Sequence, residues 1–137
     1  MTTQVLQPSN SKPAKVVHNI TWDQLEEIDR SLADFPGLKL IYLDGTLEIM
    51  PVSESHKDVR ATMGILLENY LRARRIQFYS RGGPTLGQKE EGARNEPDES
   101  YSIGTRRQYP DLVLELVFTN GGVDRLEGYR RMGVKEV

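Results

Sequence analysis

The chain has 137 residues, 28% of them charged, and a formal net charge of −2. That is enough for one domain with a real core, and it does not mark a dedicated polyanion binder. There is no Cys, which excludes disulfides, Cys-bound zinc and thiol nucleophiles and fits a cytoplasmic protein. The N-terminal MTTQVLQPSNSKPAK lacks the apolar stretch of a signal peptide, and no run reaches transmembrane length. A local basic face can still act inside an acidic chain.

Residues 1–17, rich in Ser, Thr, Pro and Lys, read as a disordered tail, and 18–137 as a single domain. Thr21-Trp22-Asp23-Gln24 is a capping box opening a helix. Trp22, Leu25, Ile28, Leu32 and Phe35 follow at helical spacing, and Pro36-Gly37 ends it. In Leu38–Val52, Asp44-Gly45 between two β-prone runs predicts a hairpin, with Asp44 serving turn chemistry. Glu54–Arg75 is the longest helical pattern. It places Val59, Met63, Leu66, Leu67 and Tyr70 in one apolar stripe, with His56 near its centre. His56 is either a ligand to a metal or substrate or a packed, hydrogen-bonded core residue. Arg72, Arg74 and Arg75 at the end of this helix read either as a solvated face or as phosphate contacts.

Ile76–Arg81 reads as a strand and Gly82-Gly83-Pro84 as a turn without the Gly-Lys-Ser/Thr of a phosphate-binding loop. Thr85–Gln88 is a candidate short strand, and Lys89–Asn95 a mobile charged loop. Pro97–Ile103 and Tyr109–Val117 are strands joined by the short GTRRQ connection. The second, YPDLVLELV, is the longest apolar run. Its alternation puts Asp111, Val113, Glu115 and Val117 on one face and Leu112, Leu114 and Leu116 on the other, expected to be the core face. Thr119–Gly122 reads as a turn and Val123–Met132 as a helix stopped by Gly133. Leu126, Tyr129 and Met132 form its apolar arc, with Arg125 at the edge. Val134–Val137 starts a further strand.

Glu115 is an acid within an apolar strand, so a metal ion, an Arg or Lys, or a solvated cleft has to compensate it. A symmetric hairpin register sets Asp98 opposite Glu115 and Tyr101 opposite Leu112, with opposed Cβ atoms about 5 Å apart. Two carboxylates that close favour protonation or a shared cation, and hard oxygens suit Mg²⁺. Asp111, roughly 13 Å along the strand from Glu115, is too far to share one ion. It reads as a strand-entry hydrogen-bonding residue or as a supporting residue. Arg125 either reaches inward to Glu115 or lies exposed. The same acids therefore suit a nuclease, a structural ion site or a salt-bridged core.

EPDESYSIG, YPDLVLELV, TNGGVDRLEGYRRMGVKEV and the upstream LDGTLEIMPVSESH together resemble the Uma family of restriction endonucleases, abundant in cyanobacteria. The resemblance covers roughly Trp22 to Val137. It implies the PD-(D/E)xK nuclease superfamily: an α/β (α+β) restriction-endonuclease-like core with a central mixed sheet flanked by helices, and DNA phosphodiester hydrolysis with Mg²⁺ or Mn²⁺. Asp98 then takes the place of the first metal-binding acid, and Glu115 that of the acid in the (D/E)xK element. The lysine of that element falls at Val117. The family carries it instead in a block resembling D-K-L-E-x-Y, which here reads DRLEGY and puts Arg125 at the lysine position. His56 matches the family's His. An Arg keeps its proton and cannot act as a general base.

Family members continue beyond the GVKEV block with further sheet, so the C-terminal strand is expected to be missing here, leaving an open edge that would suit a homodimer. The expected function is a DNA endonuclease with Asp98 and Glu115 on the metal and Arg125 on the scissile phosphate. His56 and Asp111 support the site, and Arg72, Arg74, Arg75, Arg106 and Arg107 contact the DNA backbone. The rival readings are a fold-keeping interaction module without turnover, and a structural domain in which Glu115 pairs with Arg125.

Overall fold

The computed structural model describes residues 14–117 and 122–137. Residues 1–13 of the expected tail, and the expected turn at Thr119–Gly122 as far as Gly121, lie outside the described residues. Lys15–Val17, read as part of the tail, instead forms β1 and pairs antiparallel with β3 (Thr46–Pro51). Helix α1 (Trp22–Ser31) opens on the expected capping box, with reciprocal bonds between Thr21 and Gln24 worth about 1 kcal/mol. It stops before Phe35, because Ala33 and Phe35 donate to Arg30 and Leu32 in successive tight turns.

The hairpin of β2 (Leu38–Leu43) and β3 turns at Asp44 (φ 45°) and Gly45 (φ 92°). Both residues are left-handed, as a two-residue turn matched to strand twist requires. Its register pairs Leu40 with Ile49 and Tyr42 with Leu47, and these side chains pack with Leu25 of α1. The opposite face therefore carries Lys39, Ile41, Glu48 and Met50. Arg131 bonds both Asp44 carboxylate oxygens at 2.7 and 2.6 Å, so Asp44 also ties the turn to the last helix.

Helix α2 spans Glu54–Ala73. Its buried positions are His56, Gly64 and Leu71, while Met63, Leu66 and Tyr70 of the expected stripe are exposed. The face toward the sheet is thus turned by about 90° from the apolar stripe. On that face His56 bonds buried Asp98, and Gly64 lets the helix approach Glu99 and Tyr101.

β4 (Phe78–Ser80) falls within the expected strand. The segment read as a mobile loop is instead a turn over Gln88–Gly92 followed by β5 (Ala93–Arg94), which pairs with β2. Leu86 and Asn95 form an isolated bridge. β6 (Glu99–Ile103) and β7 (Leu112–Leu114) adopt the expected register, Tyr101 opposite Leu112 and Glu99 opposite Leu114. The facing of β7 is reversed. Val113, not the leucines, sits in the core with Leu86, Ala93, Tyr129 and Met132. Helix α3 (Arg125–Met132) buries Gly128, Tyr129 and Met132, leaves Leu126 64% exposed, and ends on left-handed Gly133. Glu136 then bridges Leu112 in parallel.

The strands form two antiparallel sheets, ordered β1-β3-β2-β5 and β4-β6-β7, in a mixed α+β arrangement with three helices among the described residues. This corrects the expected central mixed sheet. The chain passes between the sheets through Asn95–Asp98, and the only parallel pairing among the described residues is the Leu112–Glu136 bridge.

Asp111 closes the β6–β7 hairpin. Its carboxylate accepts from the Ile103 N–H at 2.8 Å and from Arg107 at 2.6 Å, with Lys135 at 3.9 Å. The Ile103 N–H lowers its pKa most. Burial opposes that shift, and Arg107 and Lys135 add to it. A carboxylate more acidic when folded stabilises the fold above its unfolded pKa of about 3.8, and this is lost as pH falls through the lower folded value. Asp111→Asn should destabilise by about 1–3 kcal/mol at pH 7. In urea titrations across pH 7 to 2, the wild-type advantage should shrink only below pH ~4.

Candidate active site

Five segments converge where the β6–β7 ladder ends: the inward face of the hairpin, the first turn of α2, the entry to β6, the exit of β7 and the start of α3. Asp98 is 1% exposed. Its N–H donates to Leu114 O at 3.1 Å, and its Oδ2 accepts from the Leu116 N–H at 2.7 Å. A side chain thus replaces the next rung of the ladder, which is why β7 stops at Leu114 and Glu115 lies beyond it. Oδ1 accepts from Lys39 Nζ at 2.6 Å and bonds His56 Nε2. Burial pushes the Asp98 pKa up. The His56 bond, the Lys39 charge and bond, and the Leu116 N–H outweigh it and bring it down to about 2.

Glu115 bonds the Tyr129 hydroxyl through Oε1 and Arg125 through Oε2 at 3.3 Å. Burial raises its pKa. The Tyr129 bond and the charges of Lys39 and Arg125 oppose this, and the Asp98 charge adds to it. Burial also raises the Tyr129 pKa, and neighbouring Glu115 raises it further. Two acids side by side are thereby pushed apart in acidity, Asp98 down and Glu115 up.

A third acid completes the group. Glu48 is 1% exposed, accepts from Arg125 at 3.3 Å and from the Val123 N–H at 3.2 Å, and stands opposite Ile41. A Cβ at Gly122 would lie 2.5 Å from its Oε2, and φ there is +112°, so this position requires glycine. Arg125 also contacts Met50 Sδ at 3.3 Å, so its guanidinium is held on three sides and points inward, not to solvent.

Asp98, Glu115, Arg125 and His56 are therefore brought together. Asp111 is not among them; it lies at the far end of β7. The arginines read as DNA contacts are also distant. His56 and Arg72 occupy opposite ends of α2, about 24 Å apart along its axis. Arg72 lies over the Phe78 ring and Arg106 over the Tyr79 ring, while Arg107 is held by Asp111 and its carbonyl accepts from Arg81. Sequence reasoning missed Lys39, Glu48 and Tyr129. The signal for the first two was a Lys and a Glu interrupting LKLIYL and TLEIM on strands that pair; Tyr129 was read as core alone.

Among the described residues no group of three or more His, Asp and Glu is arranged to hold a metal ion. Asp98 and Glu115 offer two hard carboxylates, and Mg²⁺ usually takes one or two, completed by water and substrate phosphate. The donor set fits such an ion. No helix among the described residues is long and apolar enough to cross a membrane.

The family model described as "Uma2: Putative restriction endonuclease" matches residues 22–137. No curated protein and no solved structure matches the chain.

Removing Arg125 strands two buried acids. Arg125→Met should destabilise by about 3–5 kcal/mol in urea titration at pH 7. Arg125→Met,Glu48→Gln should recover part of that stability, because one stranded charge is gone. A decrease below about 1 kcal/mol for the single variant would show that Arg125 does not neutralise the pair.

Proposed function

The chain belongs to the Uma2 family, and from that premise we propose that it is a divalent-metal-dependent endonuclease that hydrolyses DNA phosphodiester bonds. The observation that supports this best is the convergence of Asp98 and Glu115 at the end of one β-ladder with two cationic side chains beside them. A bound Mg²⁺ or Mn²⁺ would polarise the phosphodiester and lower the pKa of a bound water. Asp98 and Glu115 would hold the ion. His56 fixes the orientation of Asp98, and Tyr129 and Arg125 fix that of Glu115. Arg125 would face the scissile phosphate and stabilise its developing charge without exchanging a proton.

The distant arginines suit a duplex lying along α2. The separation of about 24 Å corresponds to about seven base pairs at about 3.4 Å each. Arg74 and Arg75 are exposed, so both can meet phosphate. A non-catalytic reading has one observation in its favour: Arg125 already bonds both Glu48 and Glu115, so the site is largely neutralised by its own side chains.

The deciding experiment is a Mn²⁺ titration by calorimetry followed by plasmid nicking. Asp98→Asn and Glu115→Gln should each abolish binding and lower nicking by about 100-fold or more. Nicking unaffected by both variants would remove the mechanism, and no Mn²⁺ binding by the folded wild type would favour the interaction module. Separately, Arg74→Gln,Arg75→Gln should lower the slope of log affinity for duplex DNA against log salt by about 0.9 for each phosphate no longer neutralised. An unchanged slope would place the DNA elsewhere.

A further inference from the structure

Asp98 is buried, and in this structure a lysine supplies the cation against its carboxylate. Lys39 stands on the inward face of β2, opposite Met50, with its Nζ 2.6 Å from Asp98 Oδ1 and only 12% of its side chain exposed. Its charge also acts on Glu115 against the effect of burial. We infer that Lys39 is a built-in place-holder, whose ammonium neutralises Asp98 in the metal-free protein and would give way when a divalent cation binds. This rests on the metal-dependent reading above.

Three features of the site carry it. Arg125 already pairs with Glu115, while Lys39 neutralises buried Asp98 in the metal-free protein and keeps that ligand ordered. Asp98 is crowded: Oδ1 already meets Lys39 and His56, and Oδ2 meets the Leu116 N–H. Both lone-pair positions of Oδ1 are taken, so an ion at that oxygen would have to displace the ammonium or the imidazole, and the ammonium is on the more flexible side chain. The repulsion between a divalent ion and an ammonium in a poorly solvated site then drives the lysine off.

Lys39 is also the cation able to leave. It is a compact charge on a flexible stem, whereas the planar Arg125 fork is held by Glu48, Glu115 and Met50. The device sets a threshold. The ligands stay ordered in the metal-free protein, and the affinity for the ion is held below what the same carboxylates would give alone.

The test is a Mn²⁺ titration of the wild type, Lys39→Met, Lys39→Arg and Asp98→Asn, each checked for folding by circular dichroism. Lys39→Met should bind Mn²⁺ about tenfold or more tightly than the wild type. Lys39→Arg, which keeps the charge, should bind no more tightly than the wild type. A second measurement uses the unaltered protein: acetylation of the Lys39 amine, followed by mass spectrometry, should quicken when Mg²⁺ is added. Equal or weaker binding by folded Lys39→Met, or an unchanged labelling rate at saturating Mg²⁺, overturns the place-holder. If wild-type binding is abolished in Asp98→Asn yet unaffected by Lys39→Met, the nuclease reading survives and this inference does not. If none of the proteins binds Mn²⁺, both fall.

Discussion

Three buried carboxylates, Glu48, Asp98 and Glu115, face two basic side chains, Lys39 and Arg125, and that balance ties the molecule together. Each pairing crosses between elements. Lys39 links β2 to the entry of β6, Arg125 links α3 to both β3 and the exit of β7, and His56 links the first turn of α2 to Asp98. An uncompensated charge at any of these positions would be expensive, so the two sheets and two of the helices are held in one relative placement. Buried pairs contribute less net stability than their number suggests, because desolvation opposes them. What they provide is a specific arrangement.

That arrangement has chemical consequences. Asp98 is kept ionised by His56, Lys39 and the Leu116 N–H, while Glu115 holds its proton more tightly than an ordinary carboxylate because burial outweighs its partners. An arginine is no general base, so Arg125 can only place and stabilise charge. The cationic group on a flexible stem is Lys39, brought in from the first hairpin.

The basic and apolar surfaces lie apart from this centre. Arg72 and Arg106 sit over Phe78 and Tyr79 at the far end of the three-stranded sheet, and Met63, Leu66 and Tyr70 line an exposed side of α2. The cavity at that end, about 320 Å³, is lined by Leu71, Ile76, Ile103, Arg107, Asp111, Leu112, Lys135 and Glu136, and its charged groups already neutralise one another.

Local rules carried much of the structure in the sequence itself. The Thr21–Gln24 capping box, the Asp44-Gly45 turn, the Gly133 stop and the β6–β7 register were legible because each depends on neighbours a few residues away. The register in turn brought Asp98 and Glu115 to the same end of the ladder, and four sequence blocks made the family legible. Tertiary structure decided the rest. The buried face of α2 is the one where His56 bonds Asp98 and Gly64 meets Tyr101, contacts that hydrophobic periodicity does not encode. The side of β7 that is core was settled by Tyr129 and Met132 closing over Val113, and Lys39 and Glu48 joined the site only when the hairpin folded across the β6–β7 ladder. Charge neutralisation between distant segments is a property of the folded arrangement: the sequence offered Arg125 as one candidate partner for Glu115, but not Glu48 or Lys39 beside them.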